Sequence, residues 1–405
     1  MNKRLIALLT AAVLLLSGCS ILPTSGTKQF VYNDTGTAGK SSINEKKLLK
    51  KLESSGFIPG ETQQNTVATK FSITPYSKYG RTLYLLVING NENYMIYPEG
   101  FSTEEITKDF GDDLTLIEQG TRNIYLAATA CGADFRAINA IGNISFSSIN
   151  AKDWYVDEIK DSMNRGAIQF AGNYSSPDYE LLTDSNASLA IESTMILHTP
   201  AVKEKLIKLG IPVLTDYSSY ESSAEARMEW VKVYGLITGH QNVADRFFRE
   251  KYEAIQKVDD QEKTGKSVVF FSLDAENNAV VRTGTDYIPG MIRSAGGEYA
   301  FSDLTNTKKD SHSPTVSINF EKFYETAKDA DILLVNTTIE GDIGSIADLE
   351  AENKLFGDFR AVQNGEVYET SADIYQSVDK SDEIITDMHR IFTGEKPEKY
   401  FKRLS

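Results

Sequence analysis

The sequence predicts an α/β fold, with two lobes built around parallel-rich central sheets and one long helix that joins them. Short buried strands alternate with capped helices over residues 120–240, and the same alternation returns over residues 265–405. A strand, a crossover helix and a second strand impose parallel pairing. Residues 241–264, between the two series, are amphipathic and long enough for a helix of about 30 Å.

The clearest strand–helix–strand unit lies in the first lobe. Residues 189–191 form a short apolar strand, and Thr199 then offers an N-cap with Pro200 at the first helical position. Gly210 supplies the left-handed residue that ends the helix, and residues 211–214 form the next strand. We therefore expect these two strands to be parallel neighbours in one sheet.

The second lobe repeats the alternation. Its first strand is the apolar run at residues 268–273, which predicts a buried strand. Further strands are expected at 332–335 and 366–370, and helices at 287–295, 320–328, 345–355 and 381–392.

The stretch between the lobes has one apolar side and one charged side, with Lys251 as the exception. The apolar positions are Ala244, Phe247, Phe248, Ile255 and Val258. A long helix joining two lobes predicts only a small hinge motion. An ordinary amphipathic helix on the surface of one lobe would show the same pattern.

The amino end predicts export and lipid anchoring. Lys3 and Arg4 precede the apolar run 5–16, which is too short for a membrane span of roughly 20 residues. The run ends in Leu-Ser-Gly-Cys19, which resembles the lipobox of bacterial lipoproteins. That resemblance implies a signal peptide at 1–18, a lipid on Cys19 and a place on the extracytoplasmic face of the cell membrane. An ordinary export signal with a coincidental cysteine is the alternative.

Two segments separate the signal peptide from the first lobe. Residues 19–69 are rich in Ser, Thr, Gly, Asn and Lys, and predict a flexible tether with a short amphipathic piece near residues 45–52. Residues 70–119 predict a small β-meander, because Asn89-Gly90 lies between two β-rich runs.

Charge and composition exclude several classes of protein. The net charge is −15, from 57 acids against 42 bases, and loss of Lys3 and Arg4 with the signal peptide makes it −17. A phosphate-binding groove requires the opposite sign, so no nucleic-acid partner is expected. Four histidines and two cysteines leave little material for a metal cage, and we expect no protein-built metal site and no cofactor. Apart from Cys19 only Cys131 remains, in an apolar stretch typical of a buried structural thiol.

Several segments, in order along the chain, resemble the helical-backbone (class III) solute-binding proteins of ABC importers. Within that group, which serves iron siderophores, haem and cobalamin, they are most similar to a branch typical of Firmicutes. The segments are Gly166–Glu180, Ala190–Ile196, Val202–Leu214, Ser218–Ser222, Thr283–Gly297 and Phe323–Asp331. The resemblance implies a monomer that binds one small-molecule metal chelate in a cleft between the lobes and delivers it to a permease dimer. It implies no enzymatic activity.

The resemblance also implies two permease-docking residues. Family members present one glutamate on each lobe to arginines of the permease, and the matching positions are Glu180 and Glu321. Each lies in the first turn of an expected helix, where the helix dipole favours a carboxylate. Helix capping without a partner explains the same placement.

Ligand contacts are expected from loops at the carboxyl ends of the strands, as in open α/β sheets generally. Tyrosines and arginines there suit a large, flat, partly anionic ligand. The candidates are Thr129, Tyr174, Glu192, Ser193, Thr194, Tyr217, Tyr220, Glu221 and Arg227 in the first lobe, and Arg282, Tyr287, Asn336 and Tyr375 in the second.

The sequence bears on four other functions. A receptor for free transition metal needs about three converging histidines in the related proteins, and the four here are scattered. Haem fits better, because Tyr174, Tyr217 and Tyr287 are candidate axial ligands. A surface adhesin would also use the tether. A hydrolase is disfavoured because the sequence contains no Gly-x-Ser-x-Gly elbow, P-loop or HExxH motif.

Overall fold

The computed structural model describes residues 45–306, 313–338, 341 and 343–405. The expected signal peptide, Cys19 and the first part of the tether lie outside these residues. In the described part of the chain, no helix combines the length and hydropathy that a bilayer crossing requires. The chain divides into two compact units. The described residues of the first are 45–221 and 226–248, and those of the second are 222–225 and the described part of 249–405.

The first unit begins with a five-stranded sheet, here called the N-terminal sheet, with strand order β1-β2-β3-β4-β5. Its first four strands pair antiparallel, and β5 is parallel to β4. The elements are α1 (Glu45–Ser54), β1 (Ile58–Pro59), β2 (Phe71–Lys78), β3 (Arg81–Ile88), β4 (Glu92–Tyr97), α2 (Glu104–Phe110) and β5 (Thr115–Glu118).

The prediction of a flexible tether is wrong for residues 45–69. Leu48 and Leu52 on α1 have no exposed surface and pack into one cluster with Tyr76, Leu83 and other residues of the sheet. The partners of these leucines lie on strands that follow much later in the chain, so the local sequence gave only a short amphipathic stretch. The expected meander at 70–119 is present, with the added parallel strand β5.

The central sheet of the first unit has the order β12-β11-β6-β7-β8, and all of its pairs are parallel. The predicted strand–helix–strand unit is confirmed: Ile191 lies beside Leu214 in the register, and Pro200 begins the connecting helix. The strands are β6 (Ile124–Leu126), β7 (Ile144–Ser147), β8 (Gln169–Phe170), a separate β9 (Gly172–Asn173) and β10 (Ser176–Pro177) pair, β11 (Leu189–Ser193) and β12 (Val213–Asp216).

Seven helices accompany or follow this sheet. They are α3 (Gly132–Ala137), α4 (Asp157–Asn164), α5 (Tyr179–Asp184), α6 (Pro200–Lys208), α7 (Ala224–Met228), α8 (Val231–Thr238) and α9 (Gln241–Asp259). The last is the expected long helix, and it ends five residues earlier than predicted. Of its five apolar positions four are buried and Phe247 is half-buried. Residues 241–248 belong to the first unit and the rest of the helix to the second.

The second unit is built on a seven-stranded mixed sheet of order β16-β14-β13-β17-β18-β19, in which β15 also pairs with β13. Its strands are β13 (Lys266–Leu273), β14 (Ala279–Arg282), β15 (Gly297–Tyr299), β16 (Thr315–Ile318), β17 (Ile332–Val335), β18 (Val367–Thr370) and β19 (Phe401–Arg403). Its further helices are α10 (Tyr287–Ser294), α11 (Phe320–Ala327), α12 (Ile346–Glu352), α13 (Arg360–Gln363) and α14 (Ser381–Thr393). Both units are thus α/β with parallel-rich sheets, as predicted.

The N-terminal sheet covers the free edge of the central sheet. Strand β12 is an edge strand, and the Tyr94 hydroxyl of β4 accepts from its Thr215 amide at 3.4 Å and lies 3.3 Å from its Val213 carbonyl oxygen, while the hydroxyl proton is donated to Glu92 at 2.5 Å. Beside it, Lys203 of α6 and Glu92 of β4 form a buried ion pair of 3.2 Å. Unpaired edge groups of a strand require such partners when water is excluded.

The Glu229 carboxylate holds the segment that leads into β2. Glu229 accepts from the backbone amides of Thr66, Val67 and Ala68 at 2.7–2.8 Å, and from the Lys232 ammonium at 2.6 Å. Burial opposes ionisation of Glu229, but these hydrogen bonds hold its pKa below the ordinary value. The carboxylate is therefore an ionised clamp between the helical region and the N-terminal sheet.

We expect Glu229→Ala to lower the free energy of unfolding of the whole first unit by about 3 kcal/mol, because three amide donors and an ammonium lose their acceptor. Urea denaturation followed by circular dichroism measures this loss. Glu250→Ala, on the exposed face of α9, is the matched control and should change stability by less than about 0.5 kcal/mol. Equal effects of the two substitutions would contradict the clamp.

Candidate functional site

The carboxyl ends of three neighbouring parallel strands, β6, β11 and β12, meet at one edge of the central sheet. Glu192 and Ser193 end β11, and Thr194 follows directly. Thr129 follows β6, and Tyr217 follows β12. The structure thus brings these five predicted residues to the same edge of the sheet.

Glu192 is the unusual residue at this edge. Its side chain has no exposed surface, and neither carboxyl oxygen has a hydrogen-bond partner within the described chain. In the sheet it lies directly beside Thr215 of β12. A buried polar group without a partner is costly, and in a native fold it calls for an explanation.

The electrostatic surroundings make Glu192 a neutral acid. Burial raises its pKa from 4.5 to about 8, against a smaller opposing effect of the Lys203 ammonium. Burial also raises the pKa of Tyr125, Tyr174 and Tyr179, and the charge of Glu192 adds to each shift. At neutral pH the protonated carboxyl can donate one hydrogen bond, with three phenols near it.

The neighbouring loop carries two more predicted residues. The rings of Tyr217 and Tyr220 lie 5.9 Å apart at 47°, and Tyr217 is buried while Tyr220 is exposed. Burial raises the pKa of Tyr220, and a hydrogen bond with Thr194 opposes part of this rise. Ser193 caps the turn that follows β11 by accepting from the Met195 amide at 3.3 Å.

Glu221 has a different role from the one expected. Its carboxylate accepts from the backbone amides of Thr69 and Lys70 at 2.9–3.0 Å and from the Trp230 indole at 3.1 Å. These partners occupy the group that was expected to meet a ligand, so Glu221 serves the fold. Arg227, on α7, is buried as well, with 3% of its surface exposed.

In the second unit, three predicted residues meet. The Arg282 guanidinium lies 5.2 Å from the Tyr375 ring centre and 6.0 Å from that of Tyr287, and it donates to the Tyr375 hydroxyl. The Asp286 carboxylate lies 3.7 Å from it. Arg282 is thus a buried cation, 5% exposed, that contacts two tyrosine rings and one carboxylate. Asn336 does not join this cluster by any described contact; its side chain accepts from Thr338 at 2.7 Å.

The two predicted docking residues are both exposed, one in each unit. Glu180 lies in the first turn of α5, which Asp178 caps by accepting from the Leu181 amide. Glu321 lies in the first turn of α11, capped in the same way by Asn319. The expected placement at helix starts is confirmed, and their role stays a prediction.

Sequence reasoning missed Thr215 and Lys203, which lie next to Glu192, and Glu92, which binds Lys203. The Lys203 ammonium donates to the Thr215 hydroxyl at 2.9 Å. One signal was present in the sequence, since Lys203 directly follows the apolar residue Val202. Both are buried, whereas Lys205 and Lys208 of the same helix are exposed. Cys131 is buried as predicted and donates to Asp216 at 3.1 Å, and burial raises its pKa well above the ordinary value. Within the described residues, no group of three or more His, Cys, Asp or Glu is placed to hold a metal ion.

Residues 144–374, more than half of the chain, match the sequence profile of the family described as periplasmic binding protein. The chain belongs to the periplasmic binding protein family. The match includes Glu192, Arg282 and Tyr287, and it begins after the N-terminal sheet and after β6. Tyr375 lies one residue beyond its end.

Relatives and solved structures agree with this family. An uncharacterized lipoprotein of Methanocaldococcus jannaschii is 24% identical over 366 residues, 82% of this chain and 85% of that protein. The periplasmic haem-binding protein HutB of Vibrio cholerae superposes with a TM-score of 0.53 at 17% identity, over 66% of this chain and 98% of that one. The periplasmic catecholate-siderophore-binding protein VctP of Vibrio cholerae gives 0.52 at 14% identity, over 67% and 94%. At these identities the two structures show the shared fold.

We expect Glu192→Gln to flatten the pH dependence of stability. Because the native pKa exceeds the unfolded one, the native state alone holds this proton between pH 4.5 and about 8. Stability of the parent therefore falls as pH rises through that window, by on the order of 1 kcal/mol per pH unit from this group. Urea denaturation between about pH 5 and pH 9 should show the variant gaining on the parent as pH rises. Glu180→Gln, at an exposed site, is the control, and a slope unchanged in Glu192→Gln would contradict the assignment.

Proposed function

We propose that this protein is the extracytoplasmic solute-binding lipoprotein of an ABC importer, of the helical-backbone class. It captures a metal chelate and delivers it to a permease dimer. A ferric siderophore is the preferred candidate for this solute, and haem and cobalamin are the next. The single observation that carries the proposal is Glu192, a fully buried acid without a partner at the carboxyl end of a central strand in a periplasmic binding protein.

The chemistry of both units supports a bulky, oxygen-rich solute. In the first unit a neutral carboxyl lies with phenols, of which Tyr174 and Tyr179 are half-exposed. In the second, Arg282 lies between two tyrosine rings and offers charge-assisted hydrogen bonds. Catecholates and haem propionates present the flat rings and anionic oxygens that such groups bind. HutB and VctP, which share the fold, bind haem and a catecholate siderophore by their names.

Lipid anchoring on Cys19 follows from the lipobox and agrees with the M. jannaschii relative, which is named a lipoprotein. The anchor would hold the protein at the outer face of the membrane, where a permease takes up its solute. Docking is proposed for Glu180 and Glu321, because each carboxylate is exposed at a helix start and available to an arginine on a partner.

We expect a thermal-shift panel of ferric siderophores, haemin, cobalamin and free metal salts to identify a chelate as the solute. A ligand at 100 times its dissociation constant adds about 2.7 kcal/mol to the free energy of unfolding. For units of this size that raises Tm by roughly 2–4 °C per kcal/mol. A shift with Zn²⁺ or Mn²⁺ alone would support the free-metal receptor instead. Absence of any shift across the panel would favour an adhesin.

We expect Glu180→Lys combined with Glu321→Lys to abolish chelate uptake by cells while the dissociation constant of the purified protein changes less than about twofold. Charge reversal sets lysines against permease arginines at two exposed positions. Asp184→Lys with Glu325→Lys, exposed acids on the same two helices, is the matched control and should leave uptake intact. Equal losses of uptake and affinity would move the two glutamates into the solute site.

A further inference from the structure

The buried charges next to Glu192 form a set that spans the N-terminal sheet and the central sheet. Lys203 bonds to Glu92 at 3.2 Å and to the Thr215 hydroxyl at 2.9 Å, and all of these side chains are buried. Thr215 is the register partner of Glu192. The ammonium therefore lies next to Glu192 but is committed to a different carboxylate.

We propose that Glu92 is a positioning residue for the solute site: it binds the Lys203 ammonium and so leaves Glu192 as a protonated acid that donates a hydrogen bond to the solute. This inference rests on the proposed solute-binding function of Glu192. It gives the N-terminal sheet, which precedes the family match, a part in solute recognition. The solute group that it selects is an oxygen acceptor, neutral or anionic, such as a catecholate or carboxylate oxygen.

The buried charges decide where the proton lies. One buried ammonium compensates one buried carboxylate, and a second carboxylate beside it loses less free energy by binding a proton than by remaining charged. Glu92 holds its position through two partners, since the Tyr94 hydroxyl donates to its other oxygen at 2.5 Å. Glu192 has no such donor. The proton therefore belongs on Glu192.

The other groups that face Glu192 do not reverse this choice. They are Tyr125 on β6, Tyr174 in the loop between β9 and β10, Tyr179 on α5 and Lys203 on α6. The Tyr125 hydroxyl already donates to the Gly172 carbonyl at 2.9 Å. Burial raises the pKa of all three phenols, so they stay neutral over the pH range in which Glu192 titrates.

Glu92→Gln tests the inference without a ligand. The amide keeps the shape and can accept from Tyr94, but it frees Lys203 to pair with Glu192, which should then ionise. Infrared difference spectroscopy on the full mature chain, with Glu192→Gln as the reference, reports the carbonyl stretch of a protonated Glu192. We expect this band at about pH 7 in the parent and its loss in Glu92→Gln. The same band in both proteins would overturn the inference.

A second variant guards against misfolding of the first. Lys203→Met removes the ammonium and leaves two buried acids, so the band should persist to higher pH than in the parent. A band that disappears at the same pH in parent and Lys203→Met would also overturn the inference.

Affinity for the chelate found in the thermal-shift panel, or for haemin as the standing probe, gives the functional readout. Glu92→Gln should weaken binding about tenfold at neutral pH, because an ionised Glu192 no longer donates a hydrogen bond. Glu192→Gln is combined with it in a double variant, in which the amide supplies a donor in place of the lost proton. The double variant should regain the affinity that Glu92→Gln lost, which a merely structural role of Glu92 would not produce. If the infrared bands behave as expected and no chelate binds to any variant, the proposed function fails and the protonation control stands.

Discussion

One buried ammonium, that of Lys203, is the contact on which the first unit depends. It joins α6 to Glu92 of the N-terminal sheet and to Thr215 of the central sheet, and because all three side chains are buried an unpaired charge there would be costly. Tyr94 saturates the edge of β12 next to it, and the carboxylates of Glu229 and Glu221 fix the segment that enters β2. The N-terminal sheet is therefore an integral layer of the first unit.

The same contact explains the chemistry at the sheet edge. With Lys203 hydrogen-bonded to Glu92, the acid at the end of β11 has no hydrogen-bond partner among the described residues, and burial outweighs the nearby ammonium and favours its protonated form. Stability is lost at this position, as is common where a protein holds a polar group ready for a ligand. The arginine cluster of the second unit differs, because Arg282 is charged, lies over the Tyr375 ring and has the Asp286 carboxylate as its counter-ion. The first unit thus holds a neutral donor and the second a cation.

Much of this molecule follows from local sequence. Thr199, Pro200 and Gly210 bound a helix between two parallel strands, and a one-sided apolar pattern gives the long helix that begins at Gln241, because caps and periodicity act over a few residues. Glu192 and Arg282 could be predicted as site residues because they lie at the carboxyl ends of strands. The state of Glu192 could not, since it depends on Glu92, 111 residues from Lys203 in the chain. The packing of α1 and the hydrogen bonds of Glu221 could not be predicted either, because their partners lie far along the chain.

The central claim is that the proton lies on Glu192 while Glu92 and Lys203 remain an ion pair. Neutron diffraction from a deuterated crystal at about pH 7 tests this most directly, because it locates the deuterons themselves. The account predicts a deuteron on a Glu192 carboxyl oxygen, none on Glu92 and three on the Lys203 nitrogen. An ionised Glu192 bound to a cation, or a deuteron on Glu92 in its place, would contradict it.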